Sequence, residues 1–175
     1  CNCVFRNVES AVSISDKSVV DMIYCHIENV GMSGVWTVAD RVKLHMTNCC
    51  VKNSAESGVY FAGSKGTVHL DGCRFEQCKD FGVELAGTKL TILHLSNCVI
   101  RGSNVGVNVR EGKVDVTVCD TKISRCVLTC VNVSTTVMGR VVCTDCELEA
   151  RSRNPIAVCM NLSSDLCEVV INGVP

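Results

Sequence analysis

"GTVHLDGCRFEQCKDFGVELAG", residues 66–87, alternates apolar and polar residues, breaks at a cysteine, resumes, breaks at a polar stretch and resumes again. The same pattern precedes it as "KLHMTNCCVKNSAESGVYFAG" at 43–63 and follows it as "ILHLSNCVIRGSNVGVNVRE" at 92–111. Self-similarity at about two dozen residues marks a stack of repeats, each too small to bury its own apolar face. With Cys73 as anchor, the equivalent positions are Cys3, Cys25, Cys49, Cys98, Thr121 and Cys146, at spacings of 22 to 25 residues.

The columns of this repeat predict its strands. Two residues after the anchor stand Phe5, Ile27, Val51, Phe75, Ile100, Ile123 and Leu148, so both positions share one inward face of a short strand. Before the anchor, apolar residues fall three and five places back, as in Leu44 and Met46, Val68 and Leu70, Leu93 and Leu95. The change of parity requires a sharp corner just before the anchor. Asn2, Asn48, Asn97, Asp120 and Asp145 stand there, residue types that tolerate the left-handed conformation. A third strand carries Val12, Val35, Val59, Val83, Val107, Val131 and Val158, each preceded by a small residue or cysteine such as Gly34, Gly58 or Gly82.

Three short strands per turn and about seven turns of 22–25 residues predict an all-β, single-stranded parallel β-helix over 1–175. In this arrangement each strand pairs with its copy about 4.8 Å away. The chain opens on Cys1 and is expected to be a piece of a larger protein. The Asn corner, the anchor-x-apolar strand and the Gly-Val-x-apolar strand resemble those of the right-handed, pectin-lyase-like parallel β-helix superfamily, and they cover nearly the whole chain. Right-handedness is what this resemblance implies. The cysteine-rich, enzyme-free style is similar to the β-helices of Shc-binding spindle proteins, of certain F-box proteins and of a large adenoviral early-region protein.

The 17 basic and 18 acidic residues nearly balance, with no basic block and no long apolar run, so neither nucleic acid nor membrane is expected as a partner. The fifteen cysteines are an odd number, and the anchor column places them inward as small core fillers. Reduced, inert thiols and hence a cytoplasmic location are expected; disulfides between adjacent turns are the alternative. Cys143 and Cys146 have CxxC spacing without the second pair that a zinc site needs. His45, His69 and His94 form one outward column, a weak candidate for a metal or a pH sensor. No cofactor is expected.

The β-helical polysaccharide lyases and hydrolases carry, as the resemblance implies, clustered acids on an outer strand face. Here the corresponding column reads Ser13, Trp36, Tyr60, Glu84, Asn108, Asn132 and Cys159, with a single Glu and no paired carboxylates for glycosidic cleavage. The expectation is a chain with no catalytic residues, presenting Trp36, Tyr60, Glu84 and Asn108 beside small residues to a protein partner as an interaction or assembly scaffold. A carbohydrate-binding or degenerate carbohydrate-active module is the second reading, with a glycan as ligand. A structural or viral assembly protein, associating with itself through side faces or helix ends, is the third.

Overall fold

A computed structural model describes residues 2–87, 89–150 and 167–172, and among them every regular element is a β-strand. The strands wind into three parallel faces. One, with the pre-anchor strands, holds Val19–Ile23, Lys43–Thr47, Thr67–Asp71, Thr91–Ser96, the later halves of Val105–Cys119 and Thr129–Thr144, and Cys167–Asn172. The second, with the anchor strands, holds Val4–Arg6, His26–Val30, Cys50–Ser54, Arg74–Glu76, Val99–Arg101, Lys122–Cys126 and Glu147–Ala150. The third, with the Gly-Val strands, holds Val12–Ser13, Val35–Thr37, Val59–Phe61, Phe81–Leu85 and the earlier halves of the two long strands.

The predicted columns are the observed register. Phe5, Ile27, Val51, Phe75, Ile100, Ile123 and Leu148 pair rung to rung. Val12, Val35, Val59, Val83, Val107 and Val131 do the same on the third face. Their side chains and those of the Leu44, Val68, Leu93 and Val116 column meet along the axis in one continuous core, where Ile27, Val51, Phe75 and Ile100 are wholly buried. Val158, Cys159 and Met160 lie outside the described residues.

The corner before the anchor is left-handed, with φ near 50° at Asn2, Asn48, Asn97, Asp120 and Asp145. Tyr24 and Gly72 complete the column. The anchor side chains serve this corner. Cys73 Sγ lies 3.3 Å from the Met46 carbonyl oxygen of the turn below and 3.4 Å from that of Asp71. Cys98 makes the equivalent approach to Leu70 and Ser96, and Thr121 donates its hydroxyl to the Cys119 carbonyl at 2.8 Å. Cysteine thus adds a weak donor to its role as filler, which is why a threonine fits this column. Burial, with the Cys146 thiol nearby, pushes the Cys143 thiol up to about 12.

Two features depart from the expected plan. A second left-handed corner follows the anchor strand at Asn7, Asn29, Asn53, Gln77, Gly102 and Arg125. Its asparagines form a ladder, Asn53 Nδ2 donating to Asn29 Oδ1 at 3.0 Å and Asn29 to Asn7 at 3.4 Å. In the upper turns the third corner opens, and Val105–Cys119 and Thr129–Thr144 run unbroken from the third face into the first. Gly112 and Gly139, at φ 92° and 121°, let these strands turn while their ladder continues.

Candidate functional site

On the third face the residue between each inward pair points out, and the register stacks Ser13, Trp36, Tyr60, Glu84, Asn108 and Asn132. The expected neighbourhood of Trp36, Tyr60, Glu84 and Asn108 is therefore real. Their exposure is not uniform. Trp36 and Tyr60 are half-buried, but Glu84 and Asn108 are each only 3% exposed, which corrects their expected place on an open surface. The cause is the polar turn that leads into this face. In the rung below, Ser57 donates its hydroxyl to Glu84 Oε2 at 3.2 Å. From above, Asn108 Nδ2 and Arg110 Nη1 each reach Glu84 Oε1 at 3.4 Å, and Asn132 Nδ2 donates to Asn108 Oδ1 at 2.7 Å.

Burial pushes the Glu84 carboxyl above the usual carboxylate range, and its three donors pull part of the way back. Tyr60 is raised too, first by desolvation and then by the Glu84 charge. Asn108 acts as a relay in an amide ladder that ends on a carboxylate, and it presents almost nothing to a partner.

The residues two places before the glycine column form a parallel row that sequence reasoning missed: Met32, Glu56 and Asp80. It is held by backbone bonds from Glu56 N to Met32 O at 3.3 Å and from Asp80 N to Glu56 O at 3.1 Å. Between this row and the aromatic column runs a groove of about 380 Å³, lined by Met32, Trp36, Glu56, Ser57, Tyr60, Asp80, Phe81, Glu84 and Arg110. Glu84 is therefore not a lone acid; Glu56 and Asp80 share its groove. The missed signal was an acidic residue two places before both Gly58 and Gly82.

Those glycines do not floor the groove as expected. A Cβ on Gly34 would meet Val51 Cγ1 at 2.6 Å and the Gly58 carbonyl oxygen at 2.8 Å; one on Gly58 would meet Phe75 Cδ1 and the Gly82 carbonyl oxygen, both at 2.6 Å. They face inward, where the chain crosses the anchor-plus-two ladder too closely for any side chain.

A family profile described as "Right handed beta helix region" matches residues 1–128. The chain belongs to the right-handed β-helix family. Membership supplies the handedness that repeat spacing alone did not show. No curated protein and no solved structure gives a significant match.

On the pre-anchor face, His45, His69 and His94 occupy consecutive rungs. The His69 and His94 rings stack at 5.0 Å, His45 meets His69 edge-on at 5.2 Å, and His45 Nδ1 lies 2.9 Å from Asp21 Oδ1. The three rings meet one another by stacking and by an edge-to-face approach, not through converging nitrogens. Among the described residues no three His, Cys, Asp or Glu side chains are placed to hold a metal ion. No described helix is long and apolar enough to cross a membrane.

Proposed function

We propose that this β-helix is a non-catalytic interaction module whose third face docks a protein partner in the Trp36–Tyr60 groove. The observation that carries this reading is the groove itself: two half-buried aromatic rings on consecutive rungs, opposite a second row of side chains, on strands paired rung to rung by a parallel ladder. Such aromatics bring large contact area at low entropic cost, and a rigid ladder fixes their spacing in advance. The inward cysteines support a reducing, cytoplasmic setting, because the core uses them as packed thiols rather than as staples.

One observation favours a carbohydrate reading: Glu56 and Asp80 join Glu84 in the groove. Glu84 speaks against catalysis there. A general acid or nucleophile must reach the substrate, whereas this carboxylate is engaged by Ser57, Asn108 and Arg110 and is almost wholly covered. The test is Trp36→Ala, assayed by affinity capture from cell extract and on a glycan array. Docking expects loss of a captured protein with folding intact. Loss of a glycan signal instead transfers the groove to the carbohydrate reading, and no change in either assay removes the groove as the site.

A further inference from the structure

The charge of this surface is out of proportion to that of the chain. Two further hollows adjoin the groove at Trp36: one of about 430 Å³ lined by Glu9, Ser10, Ser13, Met32 and Trp36, and one of about 440 Å³ that adds Asp16. Taken together, the three hollows are lined by five carboxylates, Glu9, Asp16, Glu56, Asp80 and Glu84, against one guanidinium, Arg110. Five negative and one positive leave a formal −4 on this strip, while the whole chain carries −1. Arg110 is committed to Glu84 at 3.4 Å. Glu9, Asp16, Glu56 and Asp80 form no salt bridge among the described residues.

Glu56 accepts from the Ser33 hydroxyl at 3.3 Å and Asp16 from the Asp40 N–H at 2.7 Å, but neither has a cation beside it, and aromatic faces set among such carboxylates suit a cationic side chain. A guanidinium or ammonium lies over an indole or phenol ring by cation–π attraction while a nearby carboxylate takes its charge. From Ser13 to Arg110 the strip crosses five rungs, which is about 19 Å at roughly 4.8 Å per rung. An extended peptide covers that distance in about six residues.

We infer that the occupant of this strip is an extended, basic peptide segment of about six residues, with Lys or Arg side chains placed over Trp36 and Tyr60 and paired with Glu56, Asp80 and the lower acids. This rests on the docking reading of the groove and names the chemistry of its partner. Glu84, already neutralised by Arg110, anchors the upper end of the strip rather than contacting the peptide.

Fluorescence anisotropy with labelled hexa-arginine, hexa-glutamate and a neutral Gly-Ser hexapeptide tests it on the intact chain. Hexa-arginine should bind, weakening as salt screens the strip, and the other two should not. Trp36→Ala leaves the charge unchanged and should weaken hexa-arginine by about thirtyfold, the change expected of an aromatic anchor. The double variant Glu56→Gln, Asp80→Asn should weaken it at least as much, and Glu76→Gln, which removes one carboxylate from another face, should not. Equal loss from Glu76→Gln, or no loss from Trp36→Ala, shows diffuse attraction only and overturns the proposal. Hexa-arginine failing to bind while Trp36→Ala still abolishes capture of a protein also overturns it, yet leaves the docking function standing.

Discussion

Replacing Gly58 by alanine sets two effects of opposite sign against each other. Gly58 has no positive φ, so alanine fits the backbone and should stabilise by about 0.4–1 kcal/mol through the unfolded chain. Against this, the new methyl would lie 2.6 Å from Phe75 Cδ1, 2.6 Å from the Gly82 carbonyl oxygen and 3.2 Å from Cys78 Sγ. Neither close neighbour can yield: Phe75 is wholly buried between Val51 and Ile100, and the Gly82 carbonyl belongs to the next rung. Overpacking of this kind costs roughly 1–3 kcal/mol, and the rigidity of both contacts places it toward the upper end. A net loss of about 2 kcal/mol lowers Tm by roughly 4–8 °C in a chain of this size. Gly31→Ala is the matched control, since its methyl would meet nothing closer than Glu9 Cα at 3.7 Å and only the entropic gain remains. Thermal unfolding by circular dichroism should show Gly58→Ala falling and Gly31→Ala rising by about 1–4 °C. If both rise together, the glycine column does not pack against the anchor-plus-two ladder, and the inward reading of this corner is wrong.

Phe75→Ala should cost about 3–5 kcal/mol by denaturant titration, because rungs held at fixed spacing cannot close over the cavity; a cost below about 1 kcal/mol would contradict that rigidity. For Glu84, the folded carboxyl holds its proton more tightly than the unfolded one, so its contribution to stability is present below the unfolded pKa and lost as pH rises through the raised folded value. The stability of Glu84→Gln relative to the unsubstituted chain should accordingly grow with pH across the acidic range; a difference that is flat or shrinks contradicts the burial argument. Thiol titration should label exposed Cys3 and half-buried Cys50, Cys119 and Cys167 early in native protein and all fifteen cysteines in denaturant without reductant. A denatured count well below fifteen would mean disulfides and would withdraw the reducing compartment.

The inward columns were legible because local physics writes them. Alternation within a strand and the left-handed tolerance of Asn48, Asn97 and Asp120 are properties of a residue and its chain neighbours. The second corner was missed because Gln77 and Arg125 are not residues that ordinarily announce a left-handed bend, and because the polar break around them varies in length. The burial of Glu84 was illegible for a different reason: its partners Ser57 and Arg110 lie a full turn away on either side, so it looks exposed until the rungs are stacked. Likewise, nothing in the string Gly-Val tells which side of the strand the missing Cβ would occupy; Phe75 and the Gly82 carbonyl decide that.

The outer columns separate what folds the chain from what it is for. On the anchor face Arg6, Glu28, Lys52, Glu76 and Arg101 alternate in sign from rung to rung, and the register sets each opposite its complement, with Arg6 Nε 3.3 Å from Glu28 Oε2. Such a ladder supports the register and leaves only one net positive charge over its five rungs. The row beside the groove obeys the opposite rule: Glu56 and Asp80 sit on adjacent rungs, joined by backbone, with no cation interleaved. Like charges in that position oppose the stacking that builds the solenoid. Unlike the alternating ladder of the anchor face, this acidic row beside two aromatic rings has no cation between its carboxylates, and a cationic partner that binds there would supply the charge that the row lacks.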